Sequence, residues 1–311
     1  MSHLKQRAQL NQTIREFFAQ RKVMEVETPI LSRASITDVH LGWLETHWQP
    51  AGAPQAMRLF MHTSPEFAMK RLLCAGSGDI YQLCKVFRDD DCGRFHNPEF
   101  TMLEWYRLGF DEHRLMKEVA ELLHLTLACA APSFTSYKDI FLQTLAIDPL
   151  EASIASLAQL AAEKAQYVGE PMDRDQYLQL LFSICIEPTL GGQAPSFIYD
   201  FPASQAALAK LNANDDRVAS RFEVYVQGIE LANGFYELNN AAEQRQRFEQ
   251  DNAKRQLMNK AAGEIDQHFL AAVEHGLPDC AGVALGVDRL LMLMLGVNQI
   301  KEVLSFSVEN A

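Results

Sequence analysis

The chain has 311 residues, of which 48% are hydrophobic and 22% charged, so it can bury the core of one large domain or of two modest ones. Its net charge is −12 and no basic stripe is visible, which argues against binding of a long nucleic acid through its phosphates. No uncharged apolar run reaches 18 residues and no secretory signal opens the chain, so we expect a cytosolic protein without membrane association.

The cysteines and histidines lack the spacing of a disulfide framework or a metal site. The six cysteines are scattered without a Cys-x-x-Cys pair, and none of the nine histidines lies four residues from another. Structural disulfides and zinc sites need tighter, paired spacing. We therefore expect reduced thiols and no transition-metal site.

The chain is predicted to open with a helix and a strand. Helical spacing over residues 4–21 places four apolar residues on one face, namely Leu10, Ile14, Phe17 and Phe18. Residues 23–31, VMEVETPIL, are predicted to form a strand that stops near Pro29, because proline cannot donate to a sheet ladder.

A further helix and two strands are predicted before residue 110. The helix covers 64–73, with Ser64 as its N-cap and Pro65 at its first helical position. The strands cover 80–88 and 100–108. In the second strand, alternation places four residues on one face, namely Phe100, Met102, Glu104 and Tyr106. A carboxylate and a phenol on a face shared with Phe and Met are unusual for packing alone.

Periodicity and turn residues predict the rest of the chain. The predicted elements are helical segments near 114–130, 152–166 and 175–186, a strand at 197–201, a helix at 203–212, a β-hairpin over 221–238, a helix at 243–260, and a strand followed by an apolar helix over 281–296. Residues 111–200 show no pattern typical of a catalytic site. Since no repeat or linker interrupts the chain, we predict one compact domain over residues 1–311.

Two carboxylates of the predicted hairpin are candidate metal ligands. If the chain turns at Gln227-Gly228, Glu223 and Glu230 lie on neighbouring strands and on the same face. Adjacent carboxylates repel each other, and Mg²⁺ accepts such hard oxygen ligands together with the phosphates of a nucleotide. From the spacing alone, two solvated surface glutamates are the more common alternative.

Three further segments could bind charged parts of a substrate. Arg88 ends a predicted strand, and its guanidinium suits a phosphate or carboxylate as well as it suits an ion pair with the aspartates that follow. Residues 233–237, Asn-Gly-Phe-Tyr-Glu, could hold an ammonium group, although a polar turn is more common. Residues 282–289 form a weak glycine-rich loop whose bare strand could accept a flat ring, with Arg289 near a phosphate. Together these signals outline a site for ATP, Mg²⁺ and an amino compound.

Four motifs in this order resemble the class II aminoacyl-tRNA synthetases, and specifically the lysyl enzymes. They are VETPIL around Pro29 and residues 87–106, 221–238 and 282–293, and the similarity runs from about residue 4 to the C-terminus. The resemblance implies the α+β catalytic fold of that class, with a mostly antiparallel β-sheet flanked by helices. It also implies a homodimer formed through the segment near Pro29, and ATP-dependent activation of an amino acid as an adenylate.

The resemblance assigns roles to individual residues. Arg88 and Arg289 would be the catalytic residues and would bind the α- and γ-phosphates of ATP, while Glu223 and Glu230 would hold Mg²⁺. Besides Arg88, Arg289 and Glu230, the residues implied to bind ATP are Asp89, Asp90, His96, Asn97, Phe100, Leu231 and Gly286. The residues implied to bind the amino acid are Ser64, Pro65, Glu66, Glu104, Tyr106, Asn233, Phe235, Glu237 and Ala284.

The sequence departs from the lysyl enzymes in three ways. The motifs begin almost at residue 1, so we expect no N-terminal anticodon-binding domain. Ala284 replaces a glycine of the third motif, and its methyl group on the pocket wall is expected to disfavour α-lysine. Asp89-Asp90 replaces Asn-Glu after Arg88, and Lys22 replaces a glycine before the first motif. These features resemble most closely the bacterial elongation factor P–(R)-β-lysine ligases, a family of truncated lysyl-tRNA synthetase paralogues.

The predicted function is therefore ATP-dependent activation of (R)-β-lysine, or of lysine, and its transfer to a lysine side chain of elongation factor P. ATP and Mg²⁺ are the implied cofactors, elongation factor P and a second copy of the chain are the implied partners, and no binding to a tRNA anticodon is expected. One alternative is a minor lysyl-tRNA synthetase that acts through the acceptor stem alone. The other is a non-catalytic paralogue that senses lysine, which is disfavoured because the four implied charged residues are all present.

Overall fold

The computed structural model describes residues 2–89 and 92–311, which contain nine α-helices and eleven β-strands. In chain order the helices are α1 (Ser2–Gln20), α2 (Glu66–Cys74), α3 (Glu112–Leu127), α4 (Tyr137–Leu145), α5 (Ile154–Lys164), α6 (Arg174–Leu181), α7 (Ala241–Leu257), α8 (Gln267–Gly276) and α9 (Val287–Leu295). The strands are β1 (Met24–Glu25), β2 (Leu31–Ser32), β3 (Glu45–Trp48), β4 (Met57–Met61), β5 (Ile80–Phe87), β6 (Glu99–Leu108), β7 (Ser133–Ser136), β8 (Ser196–Pro202), β9 (Val218–Val226), β10 (Ile229–Tyr236) and β11 (Cys280–Gly286).

These elements belong to two units. The first combines the chain up to Gly109 with Leu238–Ala311, and the second is Phe110–Glu237. In the first unit, the strands lie in the order β1-β5-β6-β11, with β1 parallel to β5 and the other pairs antiparallel, and a separate antiparallel sheet has the order β2-β4-β3. In the second unit, β7 is parallel to β8, and β8, β9 and β10 are antiparallel. The predicted α+β fold, mostly antiparallel and flanked by helices, is confirmed, whereas the single domain over 1–311 stays a prediction.

Helix α1 covers one face of the main sheet of the first unit. The four apolar residues of its predicted stripe are almost fully buried, namely Leu10, Ile14, Phe17 and Phe18. Phe18 stacks on Tyr81 of β5, with ring centroids 4.3 Å apart, and contacts Trp105 of β6 edge-on at 5.4 Å. Successive side chains of a strand alternate between faces, so Gln82 and Glu104 point away from α1. The helix thereby leaves the opposite face of the sheet for the candidate site.

The predicted strand over 23–31 is wrong as a single element. Only the two ends of this segment are extended. They form the two-residue strands β1 and β2, which belong to different sheets. Between them the amide of Val26 donates to the carbonyl of Tyr81 at 2.8 Å. Pro29 has no N–H group with which to continue a ladder, so the chain leaves one sheet and enters the other.

The predicted helix over 203–212 is also wrong. Only Ala203–Gln205 forms a short 3₁₀ turn, and the amide of Lys210 then donates to the carbonyl of Tyr236 at 2.8 Å beside β10. Pairing with a distant strand thus overrides the local helical pattern. The other predicted helices and strands are present within a few residues of their predicted bounds. No helix of the described chain combines the length and the apolar character needed to cross a membrane.

Candidate active site

One sheet face of the first unit carries three of the nine residues implied to bind the amino acid, namely Glu104, Tyr106 and Ala284. The strand register makes Gln82 of β5 and Ala284 of β11 the direct neighbours of Glu104 on β6. Tyr106 lies two residues further along β6 and therefore on the same face. Because the pairing of β6 with β5 is regular, the predicted face that also includes Phe100 and Met102 is confirmed.

Glu104 is a buried carboxylate held by two hydroxyl groups. Only 2% of the residue is exposed. Ser64 Oγ donates to its Oε2 at 2.7 Å, and the Tyr106 hydroxyl donates to its Oε1 at 2.5 Å. A carboxylate can accept about four hydrogen bonds. These two neutral donors therefore orient Glu104 without cancelling its charge.

A second carboxylate and a lysine lie beside Glu104. Lys70 is fully buried and donates to Glu66 Oε1 at 2.6 Å, one turn earlier on α2. Burial, and then the charge of Glu66, raise the pKa of Glu104 to about 7, although the hydrogen bonds from Ser64 and Tyr106 act in the opposite direction. Two carboxylates thus surround one lysine, and an added ammonium group would offset the remaining negative charge.

The start of α2 brings Ser64 to Glu104. Helix α2 begins at Glu66 and its N-cap is Pro65, so the predicted cap at Ser64 is one residue too early. Ser64 Oγ nevertheless accepts from the amide of Glu66 at 3.0 Å while its own proton goes to Glu104. The Ser-Pro-Glu sequence therefore ties the beginning of the helix to the buried carboxylate.

Arg88 and Phe100 lie together at one end of β5 and β6. The amide of Arg88 donates to the carbonyl of Pro98 at 2.9 Å, which closes the base of the loop between the two strands. Its guanidinium carbon lies 5.2 Å from the centroid of the Phe100 ring. The guanidinium suits a phosphate of a nucleotide, and the aromatic ring beside it suits the base.

Arg289 lies in the first turn of α9 and contacts the same loop. Its Nε donates to the carbonyl of Phe95 at 3.3 Å, and its Nη2 lies 2.6 Å from Nε2 of His96. Gly286 directly precedes α9 as its N-cap. A helix N-terminus with an arginine in its first turn favours an anion, which agrees with the implied role at the phosphates.

A buried ion pair fixes the start of α9. Asp288 is 1% exposed, accepts from the amide of Thr101 at 2.6 Å and pairs with Arg7 of α1. The first turn of α9, which includes Arg289, is therefore held in place by contacts from β6 and α1.

The loop after β5 contains further residues implied to bind ATP. Asn97 is buried, donates to the carbonyl of Glu99 at 2.6 Å and accepts from the amide of Val308 at 3.1 Å. The amide of Asn97 thus links the start of β6 to the C-terminal segment, and its contact with the base stays a prediction. Asp89 is exposed. Asp90, implied to lie near the base, falls outside the described residues.

In the second unit, β9 and β10 form the predicted hairpin. Gln227 and Gly228 have φ values of 53° and 71°, as a type I′ turn requires. The register places Glu230 directly opposite Tyr225, and Tyr225 lies two residues from Glu223. Glu223 and Glu230 therefore share one face of the hairpin, as the sequence predicted.

Glu223 is not a solvated surface residue. It is 8% exposed, Arg221 Nη2 donates to its Oε1 at 2.5 Å, and the Tyr225 hydroxyl donates to its Oε2. Burial raises the pKa of Glu223, and the charge of Glu230 adds to this effect while Arg221 opposes it. The more common alternative, two solvated glutamates, is thus wrong for Glu223, whereas Glu230 is half-buried.

The hairpin carboxylates have the chemistry of magnesium ligands. Among the described residues, no group of three or more His, Cys, Asp or Glu side chains is placed to hold a metal ion. Mg²⁺, however, commonly takes only one or two carboxylates and completes its shell with water and phosphate oxygens. The buried Glu223 beside the like-charged Glu230 fits this ligand set, because a cation would relieve the repulsion that raises the pKa of Glu223.

The second unit also holds the remaining residues implied to bind substrate. Asn233 Oδ1 accepts from Arg221 Nε at 3.3 Å. Phe235 packs against a small alanine cluster, and Leu231 and Glu237 are buried. Asn233 thus belongs to the hydrogen-bond network of Glu223, and Leu231 is 2% exposed, as expected of a packing residue.

Sequence reasoning missed three side chains that orient the candidate site. Lys70 lies four residues after Glu66, a spacing that lets two helix residues pair. Arg221 and Tyr225 flank Glu223 at intervals of two residues and therefore share its face. In each case the periodicity was visible, but the burial that makes the contact important was not.

A comparison with protein families explains this arrangement. The family model described as tRNA synthetases class II (D, K and N) matches residues 1–310. The chain belongs to the class II tRNA synthetase family. Family membership accounts for the antiparallel strands and for the order of the four sequence motifs.

Curated relatives refine the position of the chain within the class II family. Two relatives named elongation factor P–(R)-β-lysine ligase are 57% identical over 308 residues, in Vibrio vulnificus strain YJ016, and 56% identical over 313 residues, in Vibrio cholerae serotype O1. The alignments cover 98% of this chain and 95% of the first relative, and 100% of this chain and 97% of the second. A relative of the same name in Edwardsiella ictaluri is 53% identical over 100% of this chain and 96% of its own length. The resemblance to elongation factor P–(R)-β-lysine ligases, predicted from the motifs, is confirmed.

Proposed function

We propose that this chain activates (R)-β-lysine, or lysine, with ATP and transfers it to a lysine side chain of elongation factor P in the cytosol. The observation that carries the choice of an amino compound is the buried Glu104 carboxylate, which lies beside Glu66 and accepts from Ser64 and Tyr106. A pocket rich in acceptors and short of positive charge suits an ammonium group. The names of relatives that are 53% and 57% identical to this chain support elongation factor P as the acceptor.

The two amino groups of the substrate would bind at different carboxylates. In the first unit, we assign the side-chain ammonium to Glu104 and Tyr106, and the amino group nearer the carboxylate to Glu66. The roles implied for Glu237 and Asn233, which lie in the second unit, stay predictions. The pairing of Glu66 with Lys70 leaves its second oxygen for this purpose. Pro65 and Ser64 keep the start of α2 in place, and the role implied for Phe235 stays a prediction.

ATP would bind through residues of β6, the loop before it and α9. We assign the adenine to Phe100, the α-phosphate to Arg88 and the γ-phosphate to Arg289, with His96 close to Arg289. Glu223 and Glu230 would hold Mg²⁺, which neutralises phosphate charge when it is bound.

The proposed reaction has two steps and needs no protein nucleophile. First, the carboxylate oxygen of the amino acid attacks the α-phosphorus, the bond to the bridging oxygen breaks, and pyrophosphate leaves. Second, the lysine amine of the acceptor attacks the carbonyl carbon, the bond to AMP breaks, and the amine loses a proton to solvent. Arg88 and Arg289 act by positioning ATP and by stabilising the charge that develops on its phosphates.

Ala284 is proposed to favour the β-amino acid. It lies directly opposite Glu104 in the strand register, so its methyl group is on the face that binds the substrate. In β-lysine the amino group is one carbon further from the carboxylate, which moves that group away from the position it has in lysine. A methyl group on the pocket wall therefore disfavours binding of α-lysine more than binding of β-lysine.

Intact-mass spectrometry of elongation factor P tests this proposal. The enzyme is incubated with Mg-ATP, elongation factor P and either (R)-β-lysine or α-lysine, and parallel reactions contain tRNA in place of the protein. We expect a mass gain of one lysyl group on elongation factor P, greater with (R)-β-lysine, and no charged tRNA. Charged tRNA without modified protein would instead favour a minor lysyl-tRNA synthetase.

We also propose a homodimer formed through the segment around Pro29. Three apolar side chains beside it are exposed, namely Met24 at 49%, Ile30 at 40% and Leu31 at 45%. Clustered exposed apolar residues mark interaction surfaces.

Light scattering should give about twice the chain mass of 35.0 kDa, and Ile30→Glu should lower the measured mass. Leu257→Glu, at an exposed position on α7, is the control that should remain dimeric. A wild-type mass of one chain would refute the dimer.

A further inference from the structure

We propose that Gln82 is a third acceptor for the side-chain ammonium of the substrate, together with Glu104 and Tyr106. The inference rests on the proposed function, since it adds a residue to that site. Gln82 lies on β5 directly opposite Glu104 in the antiparallel register. Directly paired residues have Cβ atoms about 5 Å apart. Both side chains therefore occupy the same part of the face that α1 leaves open.

Gln82 is buried, and the oxygen of its amide is not used. The residue is 2% exposed, and no donor in the described part of the chain forms a hydrogen bond with its Oε1. Its side chain also forms a hydrogen bond with Cys84, two residues away on the same face, although burial raises the pKa of that thiol to about 12. Most buried polar groups in folded proteins have a hydrogen-bond partner, so this oxygen is available to accept from a bound substrate.

The two hydroxyl groups beside Glu104 do not donate to this oxygen. The hydroxyl protons of Ser64 and Tyr106 already go to Glu104. The result is a cluster of acceptors made of the Gln82 oxygen, the Glu104 carboxylate and the phenol oxygen of Tyr106.

A primary ammonium group matches this cluster because it has three donors and no acceptor. A hydroxyl group has one donor only and would leave acceptors unpaired. Gln82 also adds an acceptor without adding a third negative charge beside Glu104 and Glu66, whose charges already interact. An amide at this position therefore completes the ammonium site without further repulsion.

The test replaces Gln82 by Met, which keeps the length of the side chain and removes the acceptor. In amino-acid-dependent ATP–pyrophosphate exchange, we expect the KM for (R)-β-lysine or lysine to rise about 10- to 100-fold, the usual effect of losing a hydrogen bond to a charged group. The KM for ATP should stay within twofold. Inhibition by norleucine, which lacks the terminal ammonium, should also stay within about twofold. The melting temperature without ligand should be unchanged or higher, because an unpaired buried acceptor has been removed.

The control is Gln244→Met on α7, another fully buried glutamine with both amide atoms lacking partners among the described residues. It should leave the KM for the amino acid unchanged. Gln82→Leu is measured in parallel and should reproduce the KM of the Met variant, so that the test survives if one variant fails to fold.

Two results would overturn the role of Gln82. One is an unchanged KM for the amino acid in an enzyme that is active as wild type. The other is an equal loss of lysine binding and norleucine inhibition with a lower melting temperature, which indicates a structural role. A wild-type enzyme that activates neither form of lysine would instead refute the proposed function itself.

Discussion

Arg289→Gln should lower kcat/KM for ATP–pyrophosphate exchange by about 10²- to 10³-fold, the usual effect of removing one preorganised group from a charged transition state. Arg289 sits in the first turn of α9, where its Nε donates to the carbonyl of Phe95 and its Nη2 lies 2.6 Å from His96. The neighbouring Asp288 is locked by Arg7 and Thr101, so the guanidinium is positioned before ATP binds. Preorganisation of this kind is lost when the charge is removed.

Two further variants test whether the loss of exchange activity is specific to Arg289 and to the shape of its guanidinium. Arg245→Gln removes the same charge from an exposed position on α7, and we expect wild-type exchange from it. Arg289→Lys keeps the charge but loses the planar fork, so its activity should lie between those of wild type and Arg289→Gln. If Arg289→Gln retained more than a third of wild-type kcat/KM, the assignment of Arg289 to the phosphates would be wrong.

Glu104→Gln should lower kcat/KM for (R)-β-lysine or lysine by at least about 100-fold, while the KM for ATP changes little. The substitution preserves size and removes the buried charge that the ammonium would pair with, and a buried unpaired ammonium is strongly disfavoured. Steady-state exchange kinetics with each substrate varied in turn measure both effects. Glu249→Gln, on an exposed turn of α7, is the matched control. A loss shared equally between ATP and the amino acid would contradict the assignment of Glu104.

The same carboxylate should give amino acid binding a pH dependence. Burial and Glu66 raise the pKa of Glu104 to about 7, and only its ionised form attracts an ammonium group. In the wild-type enzyme, kcat/KM for the amino acid should therefore rise with pH between about 6 and 8. Glu104→Gln cannot ionise and should lack this rise.

Glu104 should also affect stability in a defined direction. Because its pKa is raised above the value of 4.5 for an unperturbed glutamate, the folded protein binds more protons than the unfolded chain between pH 4.5 and about 7. Its contribution to the free energy of unfolding is therefore greatest below this range and is lost as pH rises through it. Urea unfolding at pH 5 and pH 8 should show that Glu104→Gln gains stability relative to wild type at the higher pH.

The failures of sequence-based prediction have a common cause. Residues 203–212 have a helical pattern, but Lys210 pairs with Tyr236 beside β10 instead. Residues 23–31 have a strand pattern, but the segment divides between two sheets at Pro29. In both cases a partner distant in sequence determined the backbone conformation, and no local pattern encodes that partner.

The sequence by itself determined the features that depend on local periodicity and turn chemistry. These include the buried stripe of α1, the alternation that places Glu104 and Tyr106 on one face, and the turn at Gln227-Gly228 that places Glu223 beside Glu230. The motifs also determined the family. Only the tertiary structure decided which of these polar groups are buried, because burial depends on strands and helices from distant parts of the chain. The raised pKa of Glu104, the paired Glu223 and the unpaired oxygen of Gln82 all follow from that packing.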